Sequence, residues 1–415
     1  MIRIEAEAAR RFVCERLGLA GPHWADATPL ARLGMVQIDT IRIAGGRNHE
    51  LALAARADVP VRAFDEAVAK VFVEQHYPVH FVRRAWTPAF MRGMAHRASR
   101  FRIGDLDEAG HRAIEDRVLA HIAEHGPTRS SDFESARVPG GFDTLKATTV
   151  ALERLYGAGR IQVAGRTRSF ERLFDLTERL HPELAPPEPG PVSDAEIAEQ
   201  ARAALEVLRL ATPDALAARV QHHVGPWRAD ARRERVRAGV AAAREAIGAV
   251  PVTVVVDGEA VEHLALAEDL EALRAAAEGD APARDEPMRI VPPLDNLLFD
   301  RARFERLFGR RFLFEAYKPR RERSFYFAMP LIHRARFAGI VDLRLVEGRK
   351  LLVDRLELAG QGAVDERLDD LRAALHRLAR LVEAERVSAH PRIEAAARRA
   401  VIGRVERVEG RRPNL

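Results

Sequence analysis

The chain has 415 residues, which is too long for one ordinary hydrophobic core and predicts about two to four domains. With 47% hydrophobic and 31% charged residues, its composition is that of a folded globular protein and excludes disordered and fibrous classes. A net charge of +5 permits an anionic partner without requiring one, and the single cysteine, Cys14, excludes disulfides within the chain.

The distribution of apolar residues bears on location. No run approaches the ~18 consecutive apolar residues of a membrane span, so no transmembrane helix is expected. The first 18 residues are amphipathic and charged throughout, unlike a signal peptide. We therefore expect a cytoplasmic protein that does not insert into a membrane.

The first predicted unit covers residues 1–100. Apolar positions at helical spacing predict a helix over residues 4–20 and a short one over 28–33. Alternation over residues 35–41 predicts a strand, and two helices followed by a strand are typical of a winged helix-turn-helix. The stretch 61–100 is predicted to be largely helical.

The second predicted unit, residues 101–181, has the order of a winged helix, three helices followed by a two-stranded hairpin. Gly126-Pro127 and Gly157 mark the ends of two predicted helices in this unit. The predicted helices are 113–124, 128–134 and 142–156, and the predicted strands are 160–163 and 165–175.

A proline-rich linker, 182–191, leads to a third unit of the same order, residues 192–278. Its predicted helices begin near residues 195, 212 and 232, and its hairpin turns at Asp257-Gly258.

After a polar linker, 279–287, the last unit, 288–415, is predicted to form an antiparallel barrel or curled sheet. Its predicted strands are 312–317, 324–330, 336–345 and 350–358, followed by a helix over 365–384.

Gln37 and Asp39 are two residues apart on the first predicted strand, so both side chains leave by the same face. A carboxylate beside an amide can hold one water, the carboxylate accepting its proton while the amide orients it. The alternative is a solvated strand face with an ordinary aspartate at the following turn.

Basic residues cluster at two predicted turns. Arg166 and Arg168 lie in the wing of the second unit, where winged helices often contact phosphates. The other cluster lies between the predicted strands 312–317 and 324–330, at a hairpin tip that could reach a phosphate backbone. Its alternative is a solubilising turn that protects sheet edges. This second cluster consists of Lys318, Arg320, Arg321 and Arg323.

The sequence contains no HExxH, P-loop, GxSxG or dinucleotide-binding motif. Its histidine pairs have no nearby carboxylate or cysteine partner in sequence, and Cys14 lies on an amphipathic helix. We therefore predict no metal and no cofactor.

Residues 35–41, Met-Val-Gln-Ile-Asp-Thr-Ile, are followed by Arg-Asn-His-Glu-Leu at 47–51. Together they resemble the opening segment of the AlkZ/YcaQ-type winged-helix DNA glycosylases, which carry a Gln-apolar-Gln or Gln-apolar-Asp motif and then a histidine-containing segment. The chain has the Gln-apolar-Asp form of the YcaQ branch. The similarity keeps the family's motif order over nearly the whole chain, and it continues in segments 126–133, 170–179, 293–297, 301–308 and 317–331.

The resemblance implies an α+β fold of three tandem winged helix-turn-helix units and a C-terminal antiparallel β-barrel-like domain, in a C-shaped monomer that encloses double-stranded DNA. It implies DNA repair by base excision: hydrolysis of the N-glycosidic bond of N7-alkylated purines, including those in interstrand crosslinks. Asp39 would activate the water and stabilise positive charge on the sugar, and Gln37 would orient the water. His49 would either contact DNA or make a structural hydrogen bond.

Two positions depart from the family pattern: Leu294 stands where phenylalanine is usual, and Ile340 where an arginine is usual. No lysine lies near the Gln37/Asp39 motif, so a monofunctional glycosylase without a lyase step is expected. The competing hypothesis is a non-catalytic winged-helix DNA-binding protein, either a transcriptional regulator or a damage-recognition paralogue.

Overall fold

The computed structural model describes residues 2–65, 71–75, 80–98, 102–103, 105–134, 136–140, 143–188, 192–224, 230–279, 286–346, 349–359 and 364–405. Over these ranges the protein is of mixed α+β class. The α-helices are α1 (Ala6–Arg16), α2 (Asn48–Ala54), α3 (Thr87–Ala98), α4 (Glu108–His125), α5 (Ala147–Gly157), α6 (Thr177–Leu180), α7 (Asp194–Leu208), α8 (Pro213–Val224), α9 (Asp230–Ala243), α10 (Leu270–Glu278), α11 (Arg301–Phe308), α12 (Val364–Leu381) and α13 (Ala395–Val401). The strands are β1 (Ile2–Glu5), β2 (Met35–Gln37), β3 (Arg42–Ile43), β4 (Gly46–Arg47), β5 (Phe72–Gln75), β6 (His80–Arg83), β7 (Arg137–Gly140), β8 (Asp143–Lys146), β9 (Ile161–Arg166), β10 (Arg172–Leu176), β11 (Ala249–Val256), β12 (Glu259–Leu266), β13 (Arg289–Ile290), β14 (Met329–His333), β15 (Arg336–Val346), β16 (Lys350–Leu358), β17 (Arg386–Ala389) and β18 (Gly403–Arg404).

The chain divides into two compact units. The first consists of Met1–Lys70, Glu206–Thr212 and Val250–Leu415, and the second of Val71–Leu205 and Pro213–Ala249. Each unit is therefore assembled from segments that are far apart in sequence. The domain boundaries expected from the sequence, 1–100, 101–181, 192–278 and 288–415, remain predictions.

The first unit is built on a six-stranded sheet in which β13 to β18 are neighbours in chain order. Its pairs are antiparallel except β16 and β17, which run parallel. Helix α12 packs on it because Leu371, Leu375 and Leu378 recur at helical spacing and are buried in the same core as Val341 and Leu351. The predictions of the closing helix and of strands β15 and β16 are confirmed.

The predicted strands 312–317 and 324–330 are wrong, apart from the two residues that open β14. The physical reason lies in Asp342, a buried carboxylate on β15. Its two oxygens accept hydrogen bonds from the amides of Tyr326 and Phe327, the latter at 2.7 Å. Because a side chain satisfies these amides, the segment needs no neighbouring strand and runs as an irregular loop.

The amino-terminal segment differs from its prediction as a helix from residue 4. Ile2 and Ile4 alternate with polar residues, and β1 pairs in parallel with β11 before α1 begins at Ala6. The β11–β12 hairpin turns at Asp257-Gly258, as predicted. Both turn residues have positive φ, 51° and 85°, as a type I′ turn requires.

The second unit has its core between α4, α5 and the β9–β10 hairpin, with buried residues Val118, Ile122, Ala151, Leu155 and Phe174. The predicted order of helices and hairpin holds, but the middle helix is a single 3-10 turn, Ser130–Asp132. A hairpin, β7–β8, precedes α5.

The helix predicted over 61–100 is also wrong in its first part, because β5 and β6 pair as an antiparallel hairpin before α3. Val73 and Val82 are direct partners, and both are buried. Over so few positions, the pattern of apolar residues in a helix resembles the pattern in a short buried strand.

Candidate active site

Gln37 and Asp39 lie where β2 ends, in the first unit. The strand stops at Gln37, two residues before Asp39, although the sequence predicted a strand to Ile41. It stops because the Asp39 Oδ1 accepts a hydrogen bond of 2.6 Å from the Ile41 amide, an Asx turn that leads the chain out of the strand. The alternation survives, since Ile38 is buried while Gln37 and Asp39 are half-buried.

The side chain of Asn48 fixes the backbone of Gln37 by hydrogen bonding. This side chain is fully buried at the first position of α2. The Asn48 Nδ2 donates to the Gln37 carbonyl at 3.0 Å and to the Leu294 carbonyl at 3.2 Å. The Leu294 amide donates back to the Asn48 Oδ1 at 2.9 Å. One amide therefore fixes the backbone of Gln37 to a segment more than two hundred residues away in sequence.

The same distant segment carries a buried ion pair. Arg56 and Asp295 form a two-pronged contact of 2.7 and 2.9 Å, and both side chains are almost inaccessible to solvent. The Arg56 Nε also donates to the Leu17 carbonyl at 2.6 Å. Because a buried charge needs a complete set of partners, this pair defines one arrangement of the segments it joins. The segment 293–297 is thus joined to Asn48 and Arg56 by buried polar contacts.

Tyr317 influences Asp39, and no pattern in the sequence predicted it. Its hydroxyl lowers the pKa of the Asp39 carboxyl, and its ring packs edge-on against Phe314 with centroids 5.8 Å apart. The residue is 76% exposed, more than any other large apolar side chain in the described ranges. The available signal was an aromatic residue directly preceding a cationic run.

Burial is the largest influence on the pKa of Asp39. Partial removal from water raises the pKa of its carboxyl above the ordinary value, while hydrogen bonds from the Ile41 amide and the Tyr317 hydroxyl lower it. The pKa of Tyr317 is raised as well, by its own burial first and then by the negative charge of Asp39. Asp39 is therefore a stronger base than a fully solvated aspartate.

The cationic cluster at 318–323 follows Tyr317 directly. It is a loop with one 3-10 turn, Arg320–Glu322, and not the tip of a hairpin as predicted. Glu315 fixes its base by accepting hydrogen bonds from the Lys318 ammonium at 2.6 Å and the Ser324 amide at 2.7 Å. Lys318, Arg320 and Arg321 are exposed to solvent.

Arg323 differs from the other three cations because it is half-buried and directed back at its own loop. Its Nε donates to the Lys318 carbonyl at 2.6 Å, and its guanidinium lies 4.7 Å from the centroid of the Tyr326 ring. Arg323 therefore shapes the loop, and the outward charge comes from the exposed cations.

Two further residues that were predicted to contact DNA, His49 and Arg166, instead have partners inside the protein. His49 is 1% exposed and packs against the buried ring of Phe64 at 5.1 Å, which favours the structural alternative for this histidine. Arg166 pairs with the buried Glu74 at 2.9 and 2.5 Å and covers the Phe170 ring, so its charge is neutralised inside the second unit. Of the two predicted wing arginines, Arg168 is the exposed one.

Among the described residues, no three His, Cys, Asp or Glu side chains are grouped as a metal site would require. Within the same ranges, no helix has the length and apolar character needed to cross a membrane. The candidate residues are the Asp39 carboxyl, the Gln37 amide two residues before it, the Tyr317 hydroxyl that influences the pKa of Asp39, and the exposed cations that follow Tyr317 in sequence. These groups can orient water, accept a proton and attract a polyanion.

The chain was compared with known proteins. Residues 30–409 match the family model described as DNA glycosylase AlkZ-like. Among solved structures, Streptomyces sahachiroi DNA glycosylase AlkZ is similar, with a TM-score of 0.57 and 14% sequence identity, covering 94% of this chain and 100% of that one. This likeness shows a shared fold. Since the family match spans nearly the whole sequence, the chain belongs to the AlkZ-like family of DNA glycosylases.

Proposed function

We propose that the protein is a monofunctional DNA glycosylase that hydrolyses the N-glycosidic bond of N7-alkylated purines. The observation that carries the proposal is the half-buried Asp39, two residues after the half-buried Gln37, whose carboxyl has a pKa raised by burial. A regulator that only binds DNA has no need of a partly desolvated carboxylate at such a place. The family to which the chain belongs supports the same conclusion.

The chemistry follows from the charge of the lesion. Alkylation at N7 makes the purine cationic, so it leaves readily when the bond between the sugar C1′ and the base N9 breaks. The bonding electrons go to the base and neutralise it, and positive charge develops on the sugar. The Asp39 carboxylate stabilises that charge electrostatically.

Water then completes the reaction. Its oxygen bonds to C1′ while Asp39 accepts its proton, and Gln37 orients the water by hydrogen bonding. The products are the free alkylated base and an abasic sugar. We propose no lyase step, because no lysine lies near Gln37 and Asp39 in sequence to form a Schiff base with the sugar.

Interstrand crosslinks are included in the proposed substrate range. A base joined to the opposite strand cannot be turned into a closed pocket, so its enzyme must reach the glycosidic bond in place. The partial exposure of both Gln37 and Asp39 supports such access.

DNA binding is assigned to the exposed cations Lys318, Arg320, Arg321 and Arg168. Phosphate contacts of this type position the duplex without reading its sequence. We further propose that α4–β10, α7–β12 and the amino-terminal segment act as three winged-helix units, and that the protein works as a monomer on chromosomal DNA in the cytoplasm.

The test is release of free base from a duplex containing one N7-methylguanine and from a nitrogen-mustard crosslink. Release by the wild type, lost in Asp39→Asn with DNA binding retained, supports the proposal. Tight binding without release from either substrate favours the non-catalytic alternative.

A further inference from the structure

Two large apolar side chains of the first unit are exposed to solvent within one short segment, residues 311–321. Leu313 is 44% exposed, and Tyr317, four residues later, is 76% exposed. The other large apolar side chains with comparable exposure in the described ranges, Leu106, Leu345 and Ile402, lie far apart in sequence. A single exposed apolar residue needs no explanation, but two in one short segment indicate a contact surface.

The charge of segment 311–321 shows what kind of partner this surface fits. The segment carries four cations and one carboxylate, a net charge of +3. The carboxylate, that of Glu315, is 8% exposed and accepts hydrogen bonds from the Lys318 ammonium and the Ser324 amide. The side chains exposed around Leu313 and Tyr317 are therefore cationic: Arg311, Lys318, Arg320 and Arg321. Cations beside apolar side chains complement duplex DNA, which presents anionic phosphates and the π faces of its bases.

The Tyr317 ring is fixed in place although most of it is exposed. Phe314 packs edge-on against it with centroids 5.8 Å apart, and Phe314 lies equally close to the fully buried Phe327. Because the ring is supported by the core before DNA arrives, its immobilisation on binding costs little entropy.

The loop that follows Tyr317 is fixed as well. Glu315 holds its two ends together through Lys318 and Ser324, and the Arg355 guanidinium donates to the carbonyls of Arg323 and Ser324. The cations are thus kept in a constant arrangement next to the ring, so one rigid element can contact phosphates and bases together.

We propose that Tyr317 contacts the bases of duplex DNA: its ring stacks on a nucleobase while the neighbouring cations bind phosphates. The inference rests on the proposed function and deepens it, since it names the side chain that reaches the base stack. An aromatic ring is suited to this role because every base has a π face, so the contact carries no sequence preference. An apolar side chain inserted at a base step also unstacks that step and bends the duplex.

The experiment uses a duplex with one tetrahydrofuran abasic-site analogue, on which binding is measured without base release. Fluorescence anisotropy over a salt series compares the wild type with Tyr317→Ala and Tyr317→Phe. Tyr317→Ala is expected to bind about tenfold more weakly, the value of one base–aromatic stack. The slope of log K against log salt should stay unchanged, because no charge is removed. Tyr317→Phe keeps the ring and should bind like the wild type.

A control variant and the salt slope separate base stacking from a role in the fold. Leu345→Ala removes an exposed apolar side chain outside the segment and should match the wild type. If the Tyr317 ring only supported the loop, Tyr317→Ala would displace the cations and make the salt slope shallower. That result would overturn the inference.

A fluorescent base reports the stacking itself. 2-Aminopurine is placed in turn at each position on either side of the abasic analogue, and its fluorescence is read at saturating protein. At one or more positions the wild type and Tyr317→Phe should agree with each other and differ from Tyr317→Ala. Equal fluorescence for all three proteins at every position would overturn the inference, and so would equal affinity or a wild type that does not bind the duplex.

These readouts are independent of the proposed activity. A wild type that shows the stacking signal but releases no N7-methylguanine supports this inference and contradicts the proposed activity. A wild type that releases the base, with Tyr317→Ala identical to it in affinity and 2-aminopurine fluorescence, contradicts this inference alone.

Discussion

Asn48 holds both backbone polar groups of Leu294, accepting from its amide at 2.9 Å and donating to its carbonyl at 3.2 Å. The same Nδ2 donates to the Gln37 carbonyl. The backbone at the candidate active site is thus fixed by a side chain that never reaches solvent. Preorganisation of this kind allows a partly exposed carboxylate to keep one orientation.

This relationship predicts the effect of Asn48→Asp. The substitution preserves shape but replaces the donating amide by a charged acceptor that faces two carbonyls. We expect a loss of about 2–3 kcal/mol in the free energy of unfolding, because two buried acceptors and a charge become unsatisfied. Excision should slow as well, since the Gln37 backbone loses its support.

Urea unfolding and single-turnover excision would measure both effects. Asn296→Asp is the comparison, because buried Asn296 donates to one carbonyl, that of Leu33, at 3.0 Å. Asn48→Asp should cost more stability than Asn296→Asp. Equal costs would show that the double contact of Asn48 contributes nothing beyond a single buried bond.

Asp39→Asn is expected to separate stability from activity. Burial raises the pKa of Asp39, so the folded protein binds this proton more tightly than the unfolded chain, and the ionised carboxylate lowers stability at neutral pH. Asparagine keeps an oxygen for the Ile41 amide and carries no charge. The variant should melt at the same temperature as the wild type or above it, while excision falls by a factor of about 10² or more.

Thermal melts and base release measured on one preparation test this expectation. Asp26→Asn is a suitable control, because Asp26 is exposed and its Oδ1 accepts from the Thr28 amide in a similar turn. A melting temperature well below that of the wild type for Asp39→Asn would show that the carboxylate serves the fold.

Excision by the wild type is expected to decline on acidification through the pKa of Asp39. The reacting form is the ionised carboxylate, and burial places its pKa above that of a solvated aspartate. The rate should therefore begin to fall at a pH where exposed aspartates are still ionised. Enzyme-free duplex measured in parallel corrects for spontaneous loss of alkylated base, and a rate independent of pH down to the range of solvated aspartates would contradict the assignment.

Features of the fold and the candidate site can be predicted from the sequence when they arise between residues that are close together in the chain. The burial alternation at Gln37, Ile38 and Asp39 and the hairpin at Asp257-Gly258 arise from adjacent residues, so pattern and turn chemistry predict them. The hydrogen bonds of Asn48 to Gln37 and Leu294 join segments that are far apart in sequence. Sequence periodicity does not predict such a contact.

The different environments of the two wing arginines have a similar cause. Arg166 and Arg168 are two residues apart in the second unit and look alike in sequence, yet Arg166 is neutralised by Glu74 while Arg168 is exposed. The partner carboxylate lies on β5, where the sequence pattern predicts a helix. The sequence therefore does not indicate that Arg166 has a partner inside the protein.

The two kinds of arginine predict opposite phenotypes. Arg320→Gln with Arg321→Gln removes two exposed charges, so DNA affinity should fall and the slope of log K against log salt should become shallower by about two. Arg166→Gln leaves Glu74 buried without its partner and should cost about 3 kcal/mol of stability with no change in that slope. Arg168→Gln should change the slope by about one and leave stability intact.

Fluorescence anisotropy over a salt series, paired with denaturant unfolding, measures both quantities. A shallower slope for Arg166→Gln at unchanged stability would place that residue on the DNA after all.

The most direct measurement is release of free base from a duplex containing N7-methylguanine by the wild type, Asp39→Asn and Gln37→Ala, with DNA binding recorded for all three. The account predicts release by the wild type, near-complete loss in Asp39→Asn and a strong reduction in Gln37→Ala, with affinity retained throughout. Release that survives both substitutions would contradict the assignment of these two residues, and binding without release by the wild type would contradict the proposed activity on this lesion.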